Sequence, residues 1–547
     1  MIAVIASLQD RTVVHEFFEL FKVQWEFYRP GRQYDVLLCA GDESFDETAA
    51  GVVLHYGARA LPCDAGQKIQ VQSPGRSYCD AFRQQGNIPV YGDSVVFPGK
   101  PTVSLVDLES GQPLTYSREL PSGVAVRIGY DLFREVRMLL TAGQPVENAG
   151  IPALDLHIAF LRELMLTNGA SFAEILPVPA GYQFIACLTH DVDHPSIRRH
   201  KFDHTMLGFL YRAIAGSLVN FLRGRGSFRH VLKNWAAALK LPLVFLGLAE
   251  DFWLRFPDYA NLEKGRPSSF FVIPFSGRPG STDEGPAPAN RAAAYGAADI
   301  AVQIRHVRSA GCEIALHGID AWRDQSAAGS ELQEICRVSG ARATGVRMHW
   351  LYFKQQSPAV LEAAGAEYDS TIGYNQTIGY RAGTSQVYKP LECVRLLELP
   401  LHIMDTALFY PSYLDLSSRH AALEVDGILQ HAVRAGGVVT VNWHDRSIAP
   451  ERLWREFYVH VMNELQEKGA WFATANDTVS WFRQRRMANF ENLTRQMGPA
   501  REDIEIETVK GLPGLRIQVH HSRKRFADPA PLAPASGLSA TAPLSPS

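Results

Sequence analysis

The sequence has few cysteines, little net charge and no long apolar run, and each of these shortages excludes a class of protein. Its seven cysteines are scattered singly without a CxxC pair, and their odd number suits reduced thiols better than a disulfide framework. The formal net charge is −3, so no overall positive field attracts nucleic acid. The chain lacks an uninterrupted run of about 18 apolar residues, so we expect no membrane-spanning helix.

The first residues, MIAVIASLQDRTVV, favour a strand over a secretion signal. They lack the basic segment that opens a signal peptide, and their short apolar run meets Asp10 and Arg11 almost at once. We therefore expect a cytoplasmic protein, with any membrane association peripheral and on the inner face of the membrane.

The order of patterns along the 547 residues predicts several domains. Strand-like and helix-like runs alternate in residues 1–170, which predicts a separate N-terminal α/β domain. In residues 171–490, short runs that are apolar on both faces recur between helical stretches, and this predicts a parallel (β/α) barrel. Residues 491–526 are expected to form a small β element, and the Pro-, Ala- and Ser-rich residues 527–547 a disordered tail.

Acidic, histidine and arginine side chains follow the predicted barrel strands, at the point where each strand ends. These residues are His190, Asp191, Asp193, His317, Arg347, His349, His402, Asp405, His444 and Asp445. Because the carboxyl ends of all barrel strands open onto one mouth, we expect most of these groups to converge there. The sequence therefore predicts an active site at the barrel mouth.

The stretch CLTHDVDHP places two carboxylates two residues apart. On an extended backbone Asp191 and Asp193 share one face. Two such carboxylates cannot both stay ionised in a dry site unless a cation lies between them and their neighbours. One carboxylate with two imidazoles suits Zn²⁺, with Fe, Co or Ni as alternatives. His317, which ends the apolar strand of GCEIALHG, is the histidine that we expect to bind the ion.

Residues 181–485 resemble the polysaccharide deacetylase family (carbohydrate esterase family four), whose fold is a distorted (β/α) barrel. The likeness lies in the ordered motifs CLTHDVD, SSFFVIP, GCEIALHG, GVRMHWLYF, LELPLHIMD and VTVNWHD. In the N-terminal part, RIGYDLFREVRMLL and ENAGIPALDLHIAFLRELML resemble the companion domain that precedes such barrels in a bacterial subfamily. The resemblance implies a metal-dependent hydrolase of linear amide C–N bonds. Its substrate would be an N-acetylated amino-sugar polysaccharide, such as an exopolysaccharide, or a precursor of one.

The resemblance also implies roles for individual residues. By its motif, Asp191 would be the general base, and Asp193 and His317 would be metal ligands. Arg347 would contact the base, and His444 would be the general acid. Asp405 or Asp445 is expected to hold the ring of His444 in the tautomer that it needs. The implied cofactor is a divalent metal, with Zn²⁺ first and Co²⁺ or Ni²⁺ as alternatives.

One position departs from the family's pattern, which places two metal histidines four residues apart. The residue four beyond His317 is Ala321. We expect His349 to supply the second imidazole, because alternation along the next strand lets it face the mouth together with Arg347, and Asp320 is the alternative. If neither binds, the barrel is a non-catalytic carbohydrate-binding or scaffold protein of polysaccharide assembly.

Two other enzyme classes fit less well. An iron-dependent oxygenase also uses two histidines and one carboxylate, but its ligands usually lie closer together in the sequence. Glycoside hydrolysis needs carboxylates on opposite sides of the scissile bond, which Asp191 and Asp193 on one strand do not supply.

The connection between the first two barrel strands, residues 196–262, is long and basic. Its first part, residues 196–240, holds nine Lys or Arg residues and one acid, Asp203. Apolar residues recur at helical spacing from Leu207 to Leu222. One interpretation is a helix packed on the barrel with its charges in water. The other is a peripheral contact with anionic lipid, which would bring the protein to lipid-linked sugar intermediates.

Overall fold

The structure is a computed structural model. It describes residues 1–41, 46–80, 87–98, 105–224, 227–254, 256–449, 452, 454–490, 503–506 and 511–523. The predicted tail, residues 527–547, lies outside the described residues, and the proposed domain boundaries stay a prediction.

The described strands and helices are numbered in chain order. The strands are β1 (Ile2–Ile5), β2 (Trp25–Phe27), β3 (Tyr34–Ala40), β4 (Ala50–Tyr56), β5 (Gln70–Gln72), β6 (Arg76–Asp80), β7 (Asn87–Val90), β8 (Ser94–Val96), β9 (Leu105–Asp107), β10 (Thr115–Leu120), β11 (Gly123–Ile128), β12 (Phe172–Pro179), β13 (Phe184–Val192), β14 (Ser268–Val272), β15 (Ser281–Thr282), β16 (Gly285–Pro286), β17 (Glu313–Gly318), β18 (Val346–Met348), β19 (Tyr368–Asp369), β20 (Leu397–Glu398), β21 (Ile403–Met404), β22 (Val438–Asn442), β23 (Ala470–Phe472), β24 (Asp503–Ile506) and β25 (Leu515–His520). The helices are α1 (Arg11–Leu20), α2 (Leu132–Thr141), α3 (Ala153–Thr167), α4 (His204–Tyr211), α5 (Ser217–Leu222), α6 (Phe228–Phe245), α7 (Asp258–Glu263), α8 (Ala301–Ser309), α9 (Gln325–Ser339), α10 (Ser357–Ala364), α11 (Asp405–Phe409), α12 (Ser418–Ala435), α13 (Arg455–Glu467) and α14 (Ala475–Met487).

The first part of the chain builds a six-stranded sheet in the order β10-β11-β4-β3-β1-β2. All its pairs are parallel except the β10–β11 hairpin. The strands alternate between two cores: Val36 and Leu38 of β3 pack with α1, α2 and α3, whereas Leu37 and Cys39 pack on the other face. This part is therefore an α/β layer structure, as the sequence predicts.

The second part builds a nine-stranded, all-parallel sheet that curls into a half-barrel. Its strand order is β20-β19-β18-β17-β14-β13-β22-β21, and β23 also pairs with β13. Helices follow most of the strands and cover the sheet. The predicted fold class, a distorted (β/α) barrel preceded by an α/β module, is confirmed.

Strand β13 lies at the centre of this sheet because its sequence, FIACLTHDV, can be buried on both faces. All nine of its residues are buried. Phe184, Ala186 and Leu188 pack with the outer helices, whereas Ile185 and Cys187 pack with α14 and β25. A parallel strand covered on both sides has this composition. The same alternation carries Asp191 onto the face of Ile185 and Cys187 at the strand's carboxyl end.

Buried polar contacts join the two parts. Asp155 of α3 accepts a hydrogen bond from Thr384 Oγ1 at 2.6 Å, and its Oδ2 lies 2.9 Å from His431 Nε2. Arg485 of α14 donates to the carbonyl of Leu20 at 3.0 Å. Strand β25 pairs with β24 and also with β12, in antiparallel fashion. The N-terminal module, the barrel and the end of the described chain therefore share buried surfaces.

The long insertion forms two helical rods. The first runs without a break through α4, a π-helical segment Arg212–Gly216 and α5, and the second is α6. By length and composition, the first rod, His204–Leu222, is the one helix among the described residues that could cross a bilayer. Polar residues interrupt its apolar sequence. Of its most apolar 18-residue stretch, 28% is buried in the protein.

Candidate metal centre and active site

Seven of the side chains predicted to converge at the barrel mouth come together, and each stands at or just beyond the carboxyl end of a strand. They are Asp191 in β13, Asp193 just after it, His317 in β17, Arg347 in β18, His349 after β18, Asp405 after β21 and His444 after β22. Because neighbouring parallel strands end at one edge, residues far apart in the sequence meet within a few ångströms.

Three of these residues could hold a metal ion. One ligand atom from each of Asp193, His317 and His349 lies within 4.8 Å of the other two. His317 Nε2 is 3.3 Å and His349 Nε2 is 3.8 Å from Asp193 Oδ1. That carboxylate oxygen is buried and has no hydrogen-bond partner among the described residues. A buried oxygen left unpaired between two imidazoles is what a cation would satisfy, and three protein ligands leave a position open for substrate or water.

The backbone of Arg347 orients the ring of His317. His317 Nδ1 lies 3.0 Å from the Arg347 carbonyl oxygen, so the protonated Nδ1 donates to it. Nε2 is directed at Asp193, and a ring that donates from Nδ1 can offer the Nε2 lone pair to a metal ion.

His349 follows the extended residue Met348, and a strained turn comes directly after it. Strand β18 ends at Met348, and Trp350 and Leu351 follow with φ of 61° and 52°. Left-handed conformations of such residues cost about 1–3 kcal/mol each and persist where the surroundings enforce them. Here the guanidinium of Arg291 donates to the His349 carbonyl at 2.8 Å and fixes the turn.

Burial sets the protonation of this ligand pair. It lowers the pKa of His349 to about 3, so the imidazole is neutral and free to coordinate. Burial alone would raise the pKa of Asp193, but His349, His317 and His444 outweigh it and hold that pKa well below its usual value. The carboxylate is therefore ionised beside a neutral His349.

In the HGIDAW segment, neither Asp320 nor Ala321 takes the place of the second metal histidine. Asp320 Oδ1 accepts a hydrogen bond from the backbone N–H of Ser281 at 2.8 Å, and Asp320 is not one of the three clustered ligands. Ala321 is buried in the hydrophobic core. The position of His349 thus favours His349 over Asp320 as the residue that replaces the family pattern's second metal histidine.

Arg347 pairs with the predicted base inside the barrel. Its Nη1 lies 3.0 Å from Asp191 Oδ1 and also donates to Thr189 Oγ1 at 2.8 Å. Ser370 accepts from the other side of the guanidinium, and Asn442 Nδ2 donates to Asp191 Oδ2 at 2.8 Å. Burial tends to raise the pKa of Asp191, but His317, Arg347 and His444 together bring that pKa below its ordinary value. The carboxylate is therefore ionised and fixed in direction.

His444 stands across the site, held by Asp405. Its Nδ1 lies 2.6 Å from Asp405 Oδ1, and its backbone N–H donates to Asp405 Oδ2 at 2.8 Å. Burial opposes protonation of the ring, but Asp405, Asp193 and Asp191 outweigh it and raise the pKa of His444 to about 10. Asp445 accepts instead from the backbone N–H of His194. Of the two carboxylates considered for the ring of His444, Asp405 is the one that contacts it.

A cavity of about 280 Å³ opens beside the metal cluster. Asp193 and His349 line it at the metal end. The remaining lining includes His204, Thr205, Arg212, Arg291, Trp350, Tyr410 and Arg446. The cavity therefore combines aromatic surface with several hydrogen-bond donors, and α4 forms part of its wall.

Sequence reasoning missed several residues that hold the site in place. Asn442 and Thr189 each stand two residues before a predicted catalytic residue, so period-two alternation could have identified them. Arg291 ends a short 3-10 helix, Ala289–Arg291, and carries no such pattern. His190, by contrast, contacts Glu263 and the Trp443 carbonyl at 2.8 Å each and is a buried structural histidine.

Comparison with known proteins returned solved structures only: no family model and no curated protein matches the chain. A protein assigned as a polysaccharide deacetylase from Mycobacterium smegmatis is 19% identical over 60% of this chain and 98% of its own, with a TM-score of 0.34. Puue allantoinase is 13% identical over 56% and 92%, with a TM-score of 0.33. Agd3, described as a novel carbohydrate deacetylase, is 8% identical over 95% and 97%, with a TM-score of 0.33. Carbohydrate deacetylases are thus among the structures similar to this chain.

Proposed function

We propose that the chain is a metal-dependent hydrolase that removes N-acetyl groups from an amino-sugar polysaccharide or its precursor. One observation carries the proposal: the cluster of Asp193, His317 and His349 lies between a carboxylate paired with arginine and an imidazole paired with aspartate. Amide hydrolysis needs a base for water and an acid for the leaving amine, and this site offers a candidate for each beside the metal cluster.

The donor set of one carboxylate and two imidazoles fits a divalent cation, for which Zn²⁺ is our first choice and Co²⁺ or Ni²⁺ the alternatives. When bound, such an ion would polarise the acetyl carbonyl and make a water molecule more acidic.

In this proposal Asp191 is the general base. Its carboxylate is ionised and directed by Arg347 and Asn442, so an oxygen is ready to accept the proton of the attacking water. Arg347 also prevents the buried carboxylate from taking up a proton beforehand, because its positive charge favours the ionised form.

His444 is the general acid. The raised pKa keeps its ring protonated, and Asp405 holds the Nδ1 proton so that the Nε2 proton faces the site. His444 Nε2 lies 3.8 Å from Asp193 Oδ2, which puts its proton at the edge of the metal cluster. Transfer of that proton to the leaving nitrogen would release a free amine, with acetate as the other product.

The cavity supports a saccharide substrate. Trp350 is 39% exposed and offers an aromatic face beside the metal ligand that precedes it. Charged and polar side chains on the other walls can donate to hydroxyl groups. An amino sugar with one acetamide at the metal end matches this distribution of apolar and polar surface.

The test is metal analysis together with acetate release from N-acetylglucosamine oligomers. We expect stoichiometric Zn²⁺ or Co²⁺, activity that chelation removes and the metal restores, and an Asp191→Asn variant that keeps its metal but loses activity. Asp320→Asn is the matched control, because Asp320 contacts a loop N–H outside the ligand cluster. Unchanged activity in Asp191→Asn would refute the assignment of the base. Protein that binds no metal and releases no acetate from any N-acetylated sugar would instead favour the scaffold alternative.

A further inference from the structure

The first rod of the insertion carries an exposed apolar stripe along its whole length. Its members, spaced three or four residues apart, are Leu207, Tyr211, Ile214, Leu218 and Leu222. Such spacing places them on one face of a helix. Leu222 is 75% exposed, so the stripe faces away from the protein.

The second rod carries a matching stripe. Its members are Phe228, Leu232, Trp235, Leu239, Leu243 and Leu246, again three or four residues apart, and Leu239 is 80% exposed. Single exposed apolar residues are normal on a soluble protein, whereas aligned stripes mark a contact surface.

The two stripes form one surface because the rods lie side by side. The rings of Phe221 and Phe228 are 5.9 Å apart near the connecting turn. Further along, the indole N–H of Trp235 donates to the Ile214 carbonyl at 3.3 Å. We call residues 204–248 the helical hairpin and its two stripes the apolar face.

The opposite side of the hairpin is fixed to the protein. Met206, Phe209 and Ala213 of the first rod share a core with Leu241 of the second and with Trp253 beyond it. These contacts hold the hairpin to the protein on the side away from the apolar face, so a lipid surface would meet that face from outside.

The charge of the hairpin is of one sign. Residues 204–248 contain six Lys or Arg residues and no Asp or Glu. Arg223, Arg229, Lys233 and Lys240 are exposed. An apolar helix face bordered by cations and lacking anions is complementary to the interface of an anionic membrane, where apolar side chains enter the acyl boundary and cations meet headgroups.

We propose that the helical hairpin docks its apolar face on an anionic lipid surface. Leucine, phenylalanine and tryptophan side chains of the two stripes would enter the interface while the exposed lysines and arginines contact acidic headgroups. The inference does not depend on the proposed deacetylase activity, since it rests on the exposure and charge of the hairpin alone.

The test is flotation of the full chain with phosphatidylcholine vesicles that contain about 30% phosphatidylglycerol, against vesicles of phosphatidylcholine only. We expect binding to the anionic vesicles at low salt and at least about tenfold weaker binding in about 1 M salt, because salt screens the headgroup contacts. A chain that stays unbound with anionic vesicles at low salt overturns the proposal.

Two pairs of variants separate the apolar and the charged contributions. Leu222→Asp with Leu239→Asp is expected to abolish binding, and Lys233→Gln with Lys240→Gln to weaken binding to anionic vesicles several-fold. The control is Leu8→Asp with Leu423→Asp, since these leucines are 79% and 65% exposed outside the hairpin and their replacement should leave binding intact. Equal losses in control and hairpin variants would refute the assigned surface.

A second copy of the chain is the other occupant to exclude. Sedimentation velocity without lipid distinguishes it: a monomer supports the proposal. A dimer that becomes monomeric in Leu222→Asp with Leu239→Asp, and that does not float with vesicles, would overturn it. Melting temperatures of all variants show whether each is folded, and the wild-type flotation result stands whatever the variants do.

Discussion

Arg347 connects the two halves of the candidate site: its guanidinium lies 3.0 Å from Asp191 Oδ1, and its carbonyl oxygen lies 3.0 Å from the Nδ1 of His317. The side chain of one residue thus directs the proposed base while its backbone directs a proposed metal ligand. Because both contacts are buried, water cannot replace either of them without cost.

Replacement of Arg347 by lysine is expected to impair the base and leave the metal ligand in place. A lysine ammonium cannot bridge Asp191, Thr189 and Ser370 as the planar guanidinium does. We expect kcat/KM to fall by about 10²-fold or more. Because the shorter lysine holds its charge farther from the carboxylate, the pKa of Asp191 is expected to rise, so the acid limb of the pH profile moves to higher pH. Metal content should stay near that of the wild type, and an unmoved acid limb would contradict the role of Arg347.

Replacement of Asp405 by asparagine is expected to disable the proposed acid. The variant removes the anion next to His444 Nδ1 and lets the ring take the wrong tautomer. We expect kcat to fall by about 10²–10⁴-fold, the range for general acid–base catalysis. The pKa of His444, now raised to about 10, should fall, so the basic limb of the pH profile moves to lower pH. Asp445→Asn is the comparison variant, and a loss there as large as in Asp405→Asn would argue against this pairing.

Removal of the His349 imidazole is expected to weaken metal binding directly. His349→Ala should lower the affinity for Zn²⁺ by more than about 100-fold, since even outer hydrogen-bond partners of metal ligands are worth about 10–100-fold. Titration calorimetry of the chelated protein measures the change. Asp320→Asn should bind like the wild type. If Asp320→Asn loses the metal and His349→Ala retains it, the third ligand has been misassigned.

A prediction on stability concerns Glu174, which is buried between Arg162 and His520. Burial would raise its pKa, but these partners hold the pKa at about 2, below the ordinary 4.5. A carboxyl group with a lowered pKa in the folded state adds to the free energy of unfolding above pH 4.5. For Glu174 this contribution is about 3 kcal/mol in total, and it is lost as the pH falls from 4.5 toward 2. The free energy of unfolding of the wild type should therefore exceed that of Glu174→Gln at pH 7, with the difference shrinking below about pH 5.

Denaturant unfolding between pH 7 and pH 4 measures this difference. Glu334→Gln serves as the control, because its partner Arg337 is largely exposed and water screens such a pair, so it contributes little to stability. A constant gap between wild type and Glu174→Gln across this range would show that the pKa of Glu174 is not lowered by folding.

The barrel and most of its mouth could be predicted from the sequence because both depend on local rules. A strand such as FIACLTHDV, apolar on both faces, belongs in the middle of a covered parallel sheet, and the ends of such strands share one edge. Asp191, His317 and His444 therefore meet although they are spread across nearly half of the chain.

The rest depends on three-dimensional contacts that no pattern encodes. The turn after His349, where Trp350 and Leu351 adopt left-handed conformations, is held by Arg291, which ends a short 3-10 helix far away in the sequence. The sequence also does not predict that the two apolar stripes of the hairpin are exposed. Helical spacing of apolar residues indicates that they share a face, but not whether the protein covers that face. Burial is a property of the fold as a whole.

The pairing of β25 with β12 has a consequence for how the chain is made. Residues 515–520 pair with residues 172–179, which leave the ribosome more than three hundred residues earlier. Until then, this edge of β12 has open N–H and C=O groups, and such edges invite pairing with other nascent chains. During synthesis, β12 therefore stays unpaired along this edge until β25 has been made. We expect the nascent chain to need chaperones most during that interval.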